Sequence, residues 1–195
     1  MSSIVLSRHG PVDLPAPRFP SRAEFAVYVD AYADAGIRQE CAPPKELMRR
    51  VRDAGAVFAN GTRRTAESLE LLDPERTPIV DPIFAEEPQR APNLSGRWPL
   101  LVWFALARGL ESFHPEAADV RAAMRQRACE ASTLLIAASE RGAVVLVGHG
   151  WFNRAIARAL SRKGWRRVET QGGSGTLGSV AAPWGHVRFE LRQGA

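Results

Sequence analysis

Short apolar runs alternate with longer stretches of helical periodicity along this chain. "SSIVLS" near the start reads as a strand, and "SRAEFAVYVDAYADAGI" carries apolar residues at helical spacing. Ser21 is placed to cap that helix, with Glu24 three residues on to complete a capping box. "PPKELMRRVRDAG" is a second helix, opened by proline and closed by glycine. "AVFAN" is a further strand, bounded by the turn pair Asn60-Gly61, and "TRRTAESLELL" is helical. "TPIVDPIFAEE" is extended and β-branched at its start, with Pro82 marking it as an edge or irregular strand. "WPLLVWFALARGL" and the alanine-rich "PEAADVRAAMRQRACEASTLLIAASERG" predict two more helices. "AVVLVGHG" is a strand that ends in a histidine, followed by the helix "WFNRAIARALSRKG". The tail "GTLGSVAAPWGHVRFELRQ" predicts a hairpin or two edge strands.

Strands alternating with helices predict an α/β layer fold on a mixed or mostly parallel sheet. In such sheets ligands collect at the carboxyl ends of strands. The chain has no internal repeat and no linker long enough to divide it, so residues 1–195 are expected to form one domain.

Composition changes this picture little. Hydrophobic residues make up 45% and charged residues 24%, ordinary for a soluble globular protein. No apolar stretch reaches the roughly 18 residues a membrane span needs, and the N-terminus does not read as a signal peptide. Cys41 and Cys129 stand far apart, so a reduced, cytoplasmic protein without a disulfide framework is expected. The net charge of +5 raises the question of nucleic acid, but the arginines are scattered, with no lysine-rich tail or basic–aromatic repeat. Such a charge suits small anionic ligands, phosphates among them.

The ends of the strands carry the chemistry. One strand ends in Arg8-His9-Gly10, one runs into Asn60 and Arg64, and one ends in Gly148-His149-Gly150. A transferring phosphoryl group presents anionic oxygens, and arginine forks match them bidentately. A neutral imidazole nitrogen can attack phosphorus. Taken singly, each residue has a plainer explanation: a surface arginine at a strand end, a satisfied histidine, a solvated helix face. Four histidines and two cysteines show no metal-ligand spacing, and no cofactor is expected. Trp98, Trp103 and Phe104 read as core, and Trp151 as a packing residue at the pocket rim. His114 and His186 receive no role, although His186 would approach the pocket if the tail folded back.

"SRHG", "RTAES" (Arg64 to Ser68) and "VGHG", in that order and each at a strand end, resemble the histidine phosphatase superfamily, which includes the cofactor-dependent phosphoglycerate mutases. The resemblance runs from residue 4 to about 160. It implies a three-layer α/β/α fold of the phosphoglycerate mutase type. It also implies a metal-independent phosphomonoester hydrolase acting on a small phosphorylated metabolite, with no nucleic-acid or membrane partner. His9 would be the nucleophile, forming a phosphohistidine. Arg8, Arg64 and His149 would bind phosphate, with Arg63 the alternative if the register shifts by one. The family's acid, a glutamate two residues after a hydrophobic residue, falls on Glu86 after Phe84-Ala85, with Glu87 beside it as the alternative. Adjacent side chains on an extended segment point opposite ways, so only one should face the pocket.

The chain departs from the mutases after the first motif, reading "RHGPVDLPAP". From Glu86 onward it resembles a less characterised bacterial branch, with a proline-rich loop leading into a tryptophan-rich helix. A segment of about 87–115 is expected to cap the pocket. A phosphoglycerate-type mutase and a non-catalytic phosphate-binding module are the competing expectations.

Overall fold

The computed structural model describes residues 2–87, 89–113, 117–172 and 182–191. The chain runs β1 (Ser3–Arg8), α1 (Arg22–Asp34), α2 (Lys45–Asp53), β2 (Ala56–Ala59), α3 (Arg63–Leu72) and β3 (Ile79–Val80). A 3-10 turn at Pro82–Phe84 leads on to α4 (Leu100–Phe113), α5 (Ala117–Ser139), β4 (Val144–Gly148), α6 (Gly150–Arg162), β5 (Trp165–Gln171) and β6 (His186–Leu191). The strands form one sheet in the order β3-β2-β4-β1-β6-β5. β3, β2, β4 and β1 are mutually parallel, and β6 runs antiparallel to both β1 and β5.

Alternation along the central strands explains the layers. Ile4, Leu6, Val144 and Leu146 point to one face, where Ala128, Ala131 and Leu135 of α5 and Phe152, Ile156 and Leu160 of α6 cover them. Val5, Val145 and Val147 point to the other, against Leu47 and Val51 of α2 and Leu69 and Leu72 of α3. With both faces buried, β1 and β4 read as continuous apolar runs. The result is the expected α/β/α sandwich. A third, smaller core joins α1 to α4: Phe25 stacks on Trp103 at 5.3 Å between ring centroids, and Trp103 Nε1 donates to Pro20 O at 2.8 Å. Trp103 is therefore core as expected, Phe104 packs against the same cluster, and Trp98 is exposed.

The capping box at α1 forms as the sequence predicts, with Ser21 Oγ accepting from Glu24 N and Ser21 N donating to Glu24 Oε2. One expectation is corrected. The tail does not make two edge strands: β6 lies inside the sheet between β1 and β5, and its outer partner is Trp165–Gln171. That strand escapes pattern reading because Arg166 and Arg167 face solvent and a register shift between Arg167 and Glu169 breaks the period of two. Residues 173–181 of the tail lie outside the described residues. The stretch from 79 is an edge strand, as Pro82 implies, but extended pairing covers only Ile79 and Val80 before Asp81 accepts from Ile83 N at 2.9 Å and starts the turn.

Among the described residues no helix is long and apolar enough to cross a membrane.

Candidate active site

The parallel register sets Arg8 beside Gly148, and His9 N continues the ladder by donating to Gly148 O at 3.0 Å. His9 and His149 therefore leave neighbouring strands side by side. Their ring centroids lie 5.1 Å apart with planes inclined at 64°, and each residue is only 2% exposed. His9 Nδ1 is 2.7 Å from Gly10 O, and a carbonyl can only accept. Nδ1 thus carries the proton and Nε2 keeps its lone pair. Burial, then the charge of Arg8 and the neighbouring His149, push the His9 pKa well below its ordinary value of 6.5. Burial likewise lowers His149 to about 4, against the opposing pull of Glu86. Both rings are neutral at neutral pH.

Arg64 rises from the first turn of α3 and is 6% exposed, whereas Arg63 is exposed and paired with Glu67 at 2.6 Å. The register of the middle motif thus puts Arg64, not Arg63, inside. Its Nη1 donates to the carbonyls of Tyr32, Ala33 (3.1 Å) and Ala35 (3.5 Å) at the end of α1, and its guanidinium lies 4.7 Å above the Tyr32 ring. Its buried Nε has no partner among the described residues. Burial lowers the Arg64 pKa below the ordinary arginine value, with Tyr32 and Glu86 pulling the other way. Arg8 Nη2 donates to the Tyr32 hydroxyl at 3.2 Å. Ser68, the last residue of "RTAES", accepts from Gly10 N at 2.9 Å and donates to Arg64 O at 2.6 Å, tying the end of β1 to α3.

Gly10 owes its lack of a side chain to a protein neighbour. A Cβ there would come within 2.5 Å of the Trp184 ring and 2.9 Å of Ile37. Trp184 itself has a φ of 60°, the left-handed region that bulky residues rarely enter. Its backbone N–H donates to His9 O at 3.3 Å, so the strained residue packs directly against the histidine loop.

The two adjacent glutamates diverge as expected. Glu86 Oε1 accepts from Trp151 N at 2.9 Å and Phe152 N at 3.3 Å, at the start of α6, where backbone donors lack helical partners. Its Oε2 is 4.0 Å from His149 Nδ1, and Arg108 lies 3.9 Å from Oε1. Glu87 turns away to Arg127 at 3.0 Å. His149 Nε2 is 2.8 Å from Asn60 Nδ2.

The five sequence-selected residues, Arg8, His9, Arg64, Glu86 and His149, thus converge at the carboxyl ends of β1 and β4. Pattern reading missed Tyr32, whose ring, hydroxyl and carbonyl all meet the two arginines. The repeat of tyrosine at 28 and 32 on one helix face was the available signal, but an aromatic stripe reads first as core. It also missed Arg108, which reaches Glu86 from α4. Trp151 is half-buried, and the guanidinia of Arg108 and Arg154 lie 5.4 and 5.7 Å from its ring centroid. His186 is buried in β6, its pKa lowered by burial and its nearest charges those of Arg50, Glu169 and Glu46. His114 lies outside the described residues. Among the described residues no group of three or more His, Cys, Asp or Glu side chains could hold a metal ion.

No protein-family model and no curated protein sequence matches the chain. Solved structures do. A phosphoglycerate mutase from Bacillus anthracis superposes with a TM-score of 0.53 at 16% identity, covering 98% of this chain and 92% of the other. A histidine-to-alanine mutant of phosphoserine phosphatase from Entamoeba histolytica, in complex with phosphoserine, superposes with a TM-score of 0.51 at 10% identity, covering 83% and 81%. The fold of this chain is that of the histidine phosphatases and phosphoglycerate mutases.

Proposed function

We propose that the chain is a metal-independent phosphomonoesterase working through a phosphohistidine on His9. The observation that carries this reading is the buried, neutral His9, its Nδ1 proton held by Gly10 O and its Nε2 lone pair left available, with two arginines and a second histidine around it. In this mechanism Nε2 attacks phosphorus and the bond from phosphorus to the ester oxygen breaks. Glu86 supplies the proton to the departing oxygen. Oε1 is engaged by two backbone donors, so Oε2, facing His149, is the oxygen that carries it. A water then attacks the phosphohistidine, giving its proton to Glu86 while Nε2 leaves with the electron pair. Arg8, Arg64 and His149 hold the phosphoryl oxygens. The segment of about 87–115 caps the pocket and selects the ester.

The named activities of the two structural neighbours, a mutase and a phosphatase, mark the alternative. In a mutase the phosphohistidine passes its group to a second substrate instead of water. The experiment is incubation with a labelled phosphate ester. The chain is expected to acquire acid-labile, alkali-stable label and to release phosphate without a bisphosphorylated primer. His9→Ala should lose both while remaining folded. Turnover by His9→Ala near the wild-type rate rejects the assignment, and strict dependence on a primer makes the chain a mutase.

A further inference from the structure

Asn60 closes β2 and has no part in the steps above. Its amide orientation follows from a donor that cannot accept. The Thr62 backbone N–H donates to Asn60 Oδ1 at 3.2 Å, and the hydroxyls of Thr62 and Thr65 lie 3.0 and 2.9 Å from the same oxygen. Flipping the amide would set its NH2 against that N–H. Nδ2 is therefore the group 2.8 Å from His149 Nε2, and an amide nitrogen only donates. Thr62 Oγ1 is further from that nitrogen, at 3.4 Å.

His149 Nε2 is accordingly an acceptor, and the neutral ring carries its proton on Nδ1. That nitrogen is buried, has no hydrogen-bond partner among the described residues, and lies 4.0 Å from Glu86 Oε2, the oxygen that carries the proton in the proposed mechanism. In the other tautomer an Nε2–H would meet the Asn60 NH2 head-on. A lone pair on Nδ1 would then face the phosphoryl oxygens.

We propose that Asn60 is a positioning residue that selects the Nδ1–H tautomer of His149, so that this ring presents a donor to the transferring phosphoryl group. The purpose of the tautomer rests on the phosphohydrolase reading; the tautomer itself does not.

The test separates the two. In protein labelled with 15N-histidine and free of substrate, His149 is identified by the signals lost in His149→Gln. At neutral pH its Nε2 should show the shift of an unprotonated nitrogen and its Nδ1 that of a protonated one. Asn60→Asp keeps an acceptor for Thr62 and Thr65 but replaces the donor facing His149 with a second acceptor, so Nε2 should become protonated. Asn60→Ala should give a mixture of tautomers. With nitrophenyl phosphate at alkaline pH, where His149 is neutral in both proteins, Asn60→Asp should lose about 10²–10³-fold in kcat, the loss typical of one transition-state donor. KM should change far less. A wild-type ring protonated on Nε2 overturns the proposal without any assay of activity. So does an Asn60→Asp protein whose Nε2 stays unprotonated, or one whose tautomer inverts while kcat holds. If the wild type turns over no phosphate ester, the phosphohydrolase reading fails, and the spectra alone still judge what Asn60 does to His149.

Discussion

Arg64, a phosphate ligand in the mechanism proposed above, is also bound firmly to the fold, and replacing it separates those two roles. A residue kept only for its ligand is buried at a cost, so its removal leaves stability unchanged or raises it. Arg64 instead serves α1, which has no basic residue in its last turn and ends at Ala35 without a glycine cap. Its Nη1 meets the carbonyls of Tyr32, Ala33 and Ala35, and its plane covers the Tyr32 ring. Charge-assisted hydrogen bonds of this kind contribute about 1.5–3 kcal/mol, and the cation–π contact about 0.5–1 kcal/mol. The helix-end attraction overlaps the first and is not added. Relief of guanidinium burial offsets part of the sum. Arg64→Ala should therefore destabilise the ligand-free protein by about 2 kcal/mol, or about 4–8 °C in Tm for a chain of this length. Arg63→Ala, which removes only an exposed pair, should stay within about 1 kcal/mol. Urea unfolding followed by circular dichroism, without phosphate, measures both. An Arg64→Ala protein as stable as the wild type, or more so, refutes the capping role.

Further tests address acid, packing and proton transfer. His149 is held at about 4 against an unfolded value near 6.5, and burial lowers His9 and His186 in the same direction. The unfolded chain thus binds more protons in this window: stability is full above pH 6.5 and is lost as pH falls towards 4, by about 3 kcal/mol from His149 alone. Unfolding free energy measured across that range should fall, and less steeply in His149→Gln; a flat profile contradicts the burial argument. Gly10→Ala should cost about 1–3 kcal/mol, because the added methyl meets the buried Trp184 ring, and a Tm within about a degree of wild type would show that the ring yields freely. Glu86→Gln should slow phosphorylation from alkyl phosphates about 10²–10⁴-fold in single turnover, but far less from nitrophenyl phosphate, whose leaving group needs no proton. Equal losses on both esters, or a leaving-group effect in Glu87→Gln instead, would move the proton elsewhere.

Much of the architecture was legible because short-range rules and the fold agree. Ser21 and Glu24 form their capping box, and the apolar runs at 3–8 and 144–148 lie paired in the sheet centre. What stayed hidden depends on distant pairing. β5 is polar, bulged and recognisable only through its partner β6. The same holds in the site. Strand ends advertised His9 and His149, but nothing local to Tyr32 says that two arginines from other elements will meet it. Nor does the Asn60-Gly61 turn signal announce that the amide of Asn60 reaches a histidine 89 positions away.

The placing of the two imidazoles on adjacent parallel strands has an evolutionary consequence. Their separation follows the spacing of the sheet, about 4.8 Å from strand to strand, because each is the first residue past its strand. Asn153 fastens this arrangement from α6 by donating to Ser7 O at 2.8 Å, and it lies so close to Gly148 that a side chain there would strike it. The α1–α4 pair, by contrast, has a core of its own. Insertions, deletions and wholesale replacement of α4 can therefore accumulate without moving one imidazole against the other. A lineage built on this plan is free to rebuild α4, losing at most the contact of Arg108 with Glu86, while the two imidazoles keep their mutual placement.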